Sequence, residues 1–238
     1  MKIALIGYGK MGQTIEKIAI ARGHEIVCII DANNRSDFES AAFASADVAI
    51  EFTTPTVAID NYRQAWKAGV AVVSGTTGWN EQLPQIQEEI KANNFTLFWT
   101  SNFSLGVNIF FELNRHLATI MNQFADYDMS ITETHHIHKL DAPSGTAITL
   151  AETILQQIDR KDKWILGEKG STNELPIKAI REGEVPGTHT VCYDSEVDTI
   201  TLTHEAKSRQ GLALGAVVAA EFTVGKKGFL NMHDLLKF

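Results

Sequence analysis

Short apolar runs alternate with stretches of helical periodicity through the first hundred residues. The apolar runs predict strands at Ile3–Ile6, Glu25–Ile30, Asp47–Phe52, Val70–Val73 and Phe95–Thr100. The helical spacing between them predicts helices at Lys10–Arg22, Pro55–Lys67 and Glu81–Ala92. The strand runs lack polar alternation, which is typical of strands covered on both faces. Because strands alternate with helices, we predict a doubly wound parallel α/β sheet with right-handed crossovers.

The pattern changes after residue 104. We predict helices at Leu105–Phe124, Ser144–Ile158 and Gly211–Val224, with a polar, glycine-containing loop at Lys161–Asn173. Strand-like alternation occurs at Asp128–Glu133, Ile177–Arg181, Thr188–Tyr193 and Thr199–His204, and the last three runs read as antiparallel strands. The middle of the chain therefore predicts a second, α+β domain with an open mixed sheet.

Composition and charge restrict the function classes. The 238 residues are 44% hydrophobic and 21% charged, which is ordinary for a globular protein. No apolar run approaches the roughly 20 residues of a membrane helix, and the N-terminus lacks a signal peptide, so we expect a cytoplasmic protein. The net charge of −8 argues against nucleic acid and anionic membranes as partners. An anionic substrate would need a local basic patch.

A glycine-rich motif follows the first predicted strand and opens the first predicted helix. The run Gly7-Tyr8-Gly9-Lys10-Met11-Gly12 fits the G-x-G-x-x-G pattern of a Rossmann-type dinucleotide site. In that motif the first glycine permits a tight turn, the second lets the backbone approach a pyrophosphate, and the third allows close helix packing. A purely structural glycine-rich turn is the alternative.

Asp31 follows the second predicted strand, where an acidic residue would bind the adenosine ribose hydroxyls. A carboxylate at this position favours NADH. Use of NADPH stays open, because Arg35 and Lys10 are nearby cations that could meet a 2′-phosphate. A solvated turn residue is the alternative interpretation of Asp31.

Two further loops follow the fourth and fifth strands. They are Gly75-Thr76-Thr77 and Thr100-Ser101-Asn102-Phe103, and both lie at the carboxyl edge where open α/β sheets bind ligands. We expect them to contact the nicotinamide end of the cofactor. The second loop could equally be a simple domain hinge.

Three imidazoles and an ammonium group lie within five consecutive residues: His135, His136, His138 and Lys139. Such a run brings together proton donors and positive charge, which suits a small anionic substrate that is protonated during the reaction. A solvated basic strand end is one alternative. A zinc site is another, but the run lacks a spacing such as H-E-x-x-H, so we expect no metal.

A turn and a helix start follow the histidines directly. Ser144 is a good N-cap residue, and the first N–H groups of a helix have no partner within it. The N–H groups of Gly145 and Thr146 could therefore bind a substrate carboxylate, helped by the helix dipole.

Taken together, these segments resemble the dihydrodipicolinate reductase family along nearly the whole chain. The matching segments are GYGKMG, Asp31, SGTTGW, SNFSLGVN, ETHHIHKLDAPSGTA and REGEVPGTHTVCYDSEVDTITLTHEAKSR. The histidine run carries Ile137 where many members of the family have arginine, which reduces the local positive charge.

The resemblance implies NAD(P)H-dependent reduction of 4-hydroxy-tetrahydrodipicolinate to tetrahydrodipicolinate, on the diaminopimelate route to lysine. It implies that His135 is the proton donor or acceptor and that Lys139 is a second proton donor. It also implies that His136, Gly145 and Thr146 bind the substrate dicarboxylate. It implies cofactor contacts by Gly7, Tyr8, Gly9, Lys10, Met11, Gly12, Asp31, Gly75, Thr76, Thr77, Thr100, Ser101, Asn102 and Phe103.

The same resemblance implies a domain organisation and an assembly. A dinucleotide-binding domain at 1–103 would be completed by the segment 208–238. The segment 104–207 would bind substrate and join four subunits through its sheets into a homotetramer.

Other functions fit parts of the sequence. Another Rossmann oxidoreductase, acting on amino acids or aldoses, would leave the DAPSGT turn beside the histidines unexplained. A non-catalytic NAD-binding sensor would need a partner surface or a DNA-binding helix, and the sequence contains no basic recognition helix.

Overall fold

The structure, a computed structural model, describes residues 1–208 and 210–238. Arg209, the last residue of the late matching segment, lies outside the described residues. The chain forms two compact units. Unit 1 is Met1–Leu105 together with Gln210–Phe238, and unit 2 is the intervening chain from Gly106 onward. In the part of the chain that is described, no helix has the length and apolar character needed to cross a membrane.

Unit 1 contains a six-stranded parallel sheet in the order β11-β5-β4-β3-β1-β2. Its strands are β1 (Lys2–Ile6), β2 (Glu25–Ile30), β3 (Val48–Glu51), β4 (Ala71–Ser74), β5 (Thr96–Trp99) and β11 (Gly228–Leu230). Its helices are α1 (Lys10–Ala21), α2 (Ala41–Ala44), α3 (Pro55–Lys67), α4 (Leu83–Asn93), α7 (Gln210–Thr223) and α8 (Met232–Leu236), with 3₁₀ turns at Arg35–Glu39 and Asn80–Gln82. The predicted Rossmann-type fold is confirmed.

Apolar clusters cover both faces of this sheet. One cluster includes Tyr62 and Trp66 of α3 and Ile86 of α4. The other includes Ile15 of α1 and Val217 of α7. Coverage on both sides explains why the strand runs showed no polar alternation.

The small residues of α7 allow close packing in unit 1. A Cβ added at Gly215 would lie 1.7 Å from the carbonyl oxygen of Phe103, so only glycine fits there. This contact fixes the last helix against the loop that follows β5. The C-terminal segment is thereby part of the same unit as the first hundred residues.

Unit 2 contains a five-stranded mixed sheet in the order β10-β9-β6-β8-β7. Its strands are β6 (Asp128–His135), β7 (Lys163–Leu166), β8 (Glu174–Arg181), β9 (Thr188–Asp194) and β10 (Thr199–Glu205). The helix α5 (Leu105–Met121) leads into this unit, and α6 (Gly145–Leu155) packs on β6, β7 and β8. The core between α6 and the sheet includes Leu150, Ile131 and Val191.

The sequence-based prediction was wrong at two places in unit 2. The segment Lys161–Asn173 contains strand β7, whose side chains are at most half-buried at the sheet edge and so give little periodicity. The run Ile177–Arg181 belongs to the longer strand β8, which pairs parallel with β6 and β7. Alternation reveals which residues face the core, but it does not reveal strand direction. The free cysteines Cys28 and Cys192 are half-buried.

Candidate active site

The glycine-rich motif forms the turn from β1 into α1. Gly7 has φ of 89°, and a Cβ there would lie 2.1 Å from the carbonyl oxygen of Phe52. A Cβ on Gly12 would lie 2.3 Å from the carbonyl oxygen of Gly7. Gly9 is the N-cap of α1, has no side-chain cap, and has open space where its Cβ would be. The turn therefore leaves free N–H donors and room for a phosphate group at Gly9.

A cavity of about 380 Å³ adjoins this turn within unit 1. Its lining includes Gly7, Gly9, Asp31, Arg35, Thr53 and Asn61. The exposed Asp31 stands directly after β2, and its Oδ1 accepts the Ala32 N–H at 2.8 Å. A carboxylate on the rim of a largely apolar cavity fits the ribose and adenine of a dinucleotide.

Arg35, the nearest cation in the cavity lining, is already paired. Its guanidinium donates to Asn61 Oδ1 at 2.7 Å and to the carboxylate of Asp60. The other nearby cation of the sequence, Lys10, is exposed and is not among the lining residues. Asp31 is thus the ionic group of the rim that is most free to meet the ribose.

The loops after β4 and β5 meet at the carboxyl edge of the sheet. The carbonyl oxygen of Thr76 accepts the indole N–H groups of Trp79 at 2.8 Å and Trp99 at 2.9 Å. Thr76 is only 5% exposed, whereas Thr77 beside it is exposed. A Cβ on Gly75 would lie 2.2 Å from the Phe52 ring, so packing already requires this glycine.

Several other residues that were predicted to contact the cofactor pack against, or hydrogen-bond to, other residues of unit 1. Phe103 is buried between the rings of Phe52 and Phe98, and the Tyr8 hydroxyl donates to the carboxylate of Glu16. Met11 packs on the apolar cluster of α1 and α7. In the loop itself, Thr100 Oγ1 donates to the carbonyl of Asn102, next to the exposed Ser101.

In unit 2, strand β6 ends at His135, and the chain turns at that point. Because the strand ends here, His135, His136 and His138 do not alternate between the two faces of the sheet. His135 is 8% exposed and His136 is half-buried, whereas Ile137, His138 and Leu140 point into solvent. The turn brings Lys139 back over the end of the sheet, where the carbonyl of Lys139 accepts the Arg181 Nε–H at 3.3 Å.

Glu133 is the centre of this site, although no role for it was predicted. It is fully buried on β6, and its Oε2 lies 2.6 Å from His135 Nδ1. Its Oε1 accepts the Ser144 N–H at 3.1 Å and an Arg181 N–H at 3.0 Å. One carboxylate therefore joins the end of β6, the start of α6 and the end of β8.

The contacts of Glu133 keep it ionised. Burial acts to raise its pKa, but His135, Ser144 and Arg181 outweigh that effect and lower the pKa of Glu133 to about 2. Burial and the nearby His135 lower the pKa of His189 to about 4, so this imidazole is neutral at pH 7. His189 Nε2 lies 3.1 Å from Ser144 Oγ.

Arg181 also fixes the loop that follows His135. It donates to the carbonyl of Asp141 at 2.5 Å, besides that of Lys139. The Lys139 ammonium lies 2.8 Å from Asp141 Oδ1. Lys139 is therefore held near the sheet, by Arg181 at its backbone carbonyl and by Asp141 at its ammonium group.

Helix α6 begins as the sequence predicted. Ser144 is its N-cap and accepts the Ala147 N–H at 3.3 Å. Gly145 is exposed, with nothing within 4 Å of the position of its Cβ. The first turn of α6, which includes Thr146, can therefore receive an anion from solvent.

Glu133, His135 and His189 also lie close enough to share a metal ion, with ligand atoms within 4.8 Å of one another. However, the Arg181 guanidinium already occupies Oε1 of the same carboxylate, and its charge opposes a dication. The close pair of Glu133 and His135, with Oε2 and Nδ1 2.6 Å apart, therefore fits a proton-transfer site better than a metal site. The i, i+2 spacing of Glu133 and His135 on one strand face could have indicated their pairing, but Arg181 and His189 required the sheet register.

Comparison with known proteins identifies the family. A model of the dihydrodipicolinate reductase N-terminus matches residues 1–103, and a model of its C-terminus matches residues 106–236. The 4-hydroxy-tetrahydrodipicolinate reductase of Christiangramia forsetii is 50% identical over 240 residues, which cover 99% of this chain and 98% of that protein. The protein of the same name from Methanopyrus kandleri is 41% identical over 198 residues, covering 80% of this chain and 71% of that protein.

The solved structures agree on the fold. Dipicolinate-bound dihydrodipicolinate reductase from Paenisporosarcina sp. TG-14 matches with a TM-score of 0.81 and 23% identity, over 98% of each chain. The sequence matches confirm the predicted family and its class as NAD(P)H-dependent oxidoreductases. The chain therefore belongs to the dihydrodipicolinate reductase family.

Proposed function

We propose that this protein reduces 4-hydroxy-tetrahydrodipicolinate to tetrahydrodipicolinate with NAD(P)H, on the diaminopimelate route to lysine. The observation that carries the proposal is the buried Glu133–His135 pair beside the open N-terminus of α6. That arrangement offers a proton donor and an anion site together, which the reduction of a cyclic dicarboxylate requires.

Unit 1 would hold the dinucleotide, which supplies the hydride when bound. The turn at Gly7–Gly12 would receive the pyrophosphate, and Asp31 the adenosine ribose. The loops at Gly75–Thr77 and Thr100–Phe103 would border the nicotinamide. Thr76 and Phe103 would contribute through backbone atoms and packing, because their side chains are turned inward.

The residues 104–207 would bind the substrate. The N–H groups of Gly145 and Thr146 would hold one carboxylate, and His136 would contribute to the binding of the dicarboxylate. The helix dipole of α6 adds a favourable field for the anion. Fixing the substrate in this way supplies orientation rather than chemistry.

His135 would act as an imidazolium, which carries a proton on each nitrogen, and would give one of them to the substrate as negative charge develops during reduction. Glu133 faces Nδ1, which leaves Nε2 as the atom for proton transfer. A Cβ at Gly187 would lie 3.0 Å from this Nε2, so glycine keeps that side of the ring open. Lys139 is the second donor and adds positive charge.

NADH is the cofactor that we propose to be favoured. Asp31 would accept hydrogen bonds from the ribose hydroxyls and would repel a 2′-phosphate. Arg35, which could otherwise attract that phosphate, is engaged by Asp60 and Asn61. NADPH would remain a weaker alternative.

We further propose that four copies assemble through the sheets of unit 2, in the cytoplasm, where reduced nicotinamide is available. Support comes from the sheet face that alternates with the buried one. It carries threonines that reach solvent, with Oγ1 of the half-buried Thr190 lying 3.0 Å from Oγ1 of the exposed Thr203. Light scattering coupled to gel filtration tests the proposal, and a monomeric mass would refute it.

The reaction is tested by NADH oxidation with freshly made dihydrodipicolinate synthase product, against a control without substrate and against NADPH. We expect rapid, substrate-dependent oxidation of both NADH and NADPH, with the faster rate for NADH. Folded protein that binds NADH but oxidises none with this substrate would overturn the substrate assignment and favour another oxidoreductase or an NAD-binding sensor.

The role of His135 has its own test. If it acts in the transition state, His135→Gln lowers kcat by about 10² to 10⁴-fold and changes KM little. A rise in KM alone would make His135 a binding residue. His138→Gln is the matched control, because His138 is exposed and forms an ion pair with the exposed Glu184.

A further inference from the structure

The most unusual buried charge of unit 1 is Glu51. It is the last residue of β3, and its side chain is completely buried. Among residues 1–208 and 210–238, no cationic side chain forms an ion pair with it. A buried carboxylate without a cation is costly, and such groups persist where they serve a function.

Hydroxyl groups take the place of a cation. Glu51 Oε2 accepts from Ser74 Oγ at 2.6 Å. Its Oε1 accepts from Thr76 Oγ1 at 3.0 Å and from the hydroxyl of Thr53, while Asn61 Nδ2 lies 3.5 Å away. The carboxylate is therefore surrounded by neutral donors from β4, from the loops after β3 and β4, and from α3.

The same hydroxyls also accept hydrogen bonds from other groups. Thr76 Oγ1 accepts the Thr53 N–H at 2.9 Å, and Ser74 Oγ accepts the Thr76 N–H at 3.2 Å. Thr53 Oγ1 accepts from Asn61 Nδ2 at 3.2 Å. Thr53 and Thr76 direct their hydroxyl protons to the carboxylate, and Ser74 does the same when it accepts from the Tyr62 hydroxyl, which lies 2.7 Å away. In that arrangement the network suits an acceptor-only, ionised Glu51.

This network joins the walls of the cavity in unit 1. Thr53 and Asn61 line the cavity directly, and Asn61 Oδ1 also holds Arg35 at the rim. Thr76 belongs to the neighbouring loop after β4. One carboxylate thus fixes the loop after β3 to the loop after β4.

We propose that Glu51 is a positioning residue for the dinucleotide, which sets the loops after β3 and β4 in the geometry that binds the cofactor. The inference rests on the proposed function, because it assumes that these loops border the cofactor. Glu51 acts through Thr53, Asn61 and Thr76 and need not touch the cofactor itself.

The chemistry of the carboxylate explains why glutamine would not replace it. A glutamine keeps an amide oxygen for the threonine hydroxyls, but it turns an N–H group toward Ser74 Oγ, whose proton must then go to the Tyr62 hydroxyl. The hydrogen bonds that hold the two loops also lose the strength that a charged acceptor gives them, so the loops are held less tightly. Burial raises the pKa of Glu51, so the charge itself opposes folding. Neutralising Glu51 should therefore disturb the loops more than it disturbs the stability of unit 1.

The test compares NADH binding with catalysis. For Glu51→Gln we expect about tenfold weaker NADH binding by fluorescence titration and a similar rise in the KM for NADH, the loss expected for one buried hydrogen-bonded contact. The kcat and the melting temperature should change little. Glu51→Asp, which keeps the charge, should recover part of the affinity. Glu89→Gln is the matched control, since Glu89 pairs with Arg63 on the surface of unit 1.

Ser74→Ala provides a second variant, which removes one donor to Glu51 and leaves the cavity lining intact. It should weaken NADH binding severalfold. Unchanged NADH affinity in both folded variants would overturn the proposal, as would a loss of melting temperature with no change in affinity. If the variants bind NADH more weakly but even the unaltered protein does not reduce 4-hydroxy-tetrahydrodipicolinate, the positioning role stands and only the substrate assignment fails.

Discussion

Single residues set the chemistry of this protein through what surrounds them. Glu133 keeps its charge inside unit 2 because Arg181, His135 and a backbone N–H satisfy it. An acceptor-only carboxylate facing Nδ1 fixes which nitrogen of His135 carries a proton in the neutral ring. The ring that remains after Nε2 has given up its proton is therefore held as a single tautomer by a neighbour two residues away in sequence.

Glu133→Gln tests that dependence. The amide can present a donor to His135 and weakens the contact with Arg181, so we expect kcat to fall about 10²-fold with little change in the KM for NADH. Nitrogen NMR of the histidine ring should show loss of the single tautomer. Glu184→Gln, in the exposed pair with His138, should leave both readouts unchanged. An unchanged tautomer in a folded Glu133→Gln protein would contradict the role.

Asp31 should decide cofactor preference. Asp31→Arg replaces a group that repels a 2′-phosphate with one that attracts it, so the ratio of kcat/KM for NADPH to that for NADH should rise by about tenfold or more. Glu39→Arg makes the same charge change in an exposed side chain away from the cavity lining, and it should leave the ratio unaltered. If the two variants showed the same ratio of kcat/KM for NADPH to that for NADH, Asp31 would not be the residue that binds the ribose.

Residues close in sequence were predictable, and residues brought together by the sheet were not. The motif around Gly7 and the cap at Ser144 depend on local backbone geometry, which a few neighbouring residues specify. Arg181 and His189 reach Glu133 only through the pairing of β6 with β8 and β9. Pairing over such sequence distances is not encoded in local periodicity, so the residues that hold His135 were missed.

At the scale of elements, the start of α6 links stability to substrate binding. Ser144→Ala removes the N-cap and the contact of Ser144 Oγ with His189, which should cost about 1 kcal/mol in the free energy of unfolding. Without its cap the first turn of α6 is held less firmly, so its N–H groups should bind the substrate carboxylate less well and the KM for substrate should rise. Chemical unfolding and steady-state kinetics measure the two effects. Ser171→Ala, at an exposed turn of unit 2, is the control for a lost hydroxyl.

Elements of unit 1 followed from the sequence more completely than those of unit 2. Parallel strands covered on both faces are continuous apolar runs, and the crossover rule leaves few ways to connect them. In unit 2, edge strand β7 has little buried surface, and β8 follows it through residues 167–173 to run parallel beside it, a direction that alternation does not reveal. Short elements such as β11 and α8 lack the length that makes periodicity informative.

At the scale of the whole molecule, the two units should respond differently to acid. The folded unit 2 binds a proton on His189 only near pH 4, whereas the ordinary value is 6.5. Glu133 likewise binds its proton near pH 2 rather than 4.5. In both cases the unfolded chain takes up the proton at higher pH, so unit 2 loses stability as pH falls below 6.5.

Unit 1 contains the opposite case. Burial raises the pKa of Glu51 above its ordinary 4.5, so the folded unit takes up this proton before the unfolded chain does. Its protonation therefore stabilises unit 1 as pH falls. Glu221, whose pKa Arg22 lowers, acts in the other direction but is partly exposed, so solvent screens its contribution.

We therefore expect acid to unfold unit 2 before unit 1. Protein equilibrated at a series of acidic pH values, then pulse-labelled by hydrogen exchange at one fixed pH, should lose protection first in peptides of β6, β8 and β9. The fluorescence of Trp164, the one tryptophan in the described part of unit 2, should change before peptides of β1 and β3 exchange. His189→Asn removes the imidazole titration and should move the unit 2 transition to lower pH. Simultaneous exchange of both units, or earlier exchange of unit 1, would show that the buried groups of unit 2 do not control its acid stability.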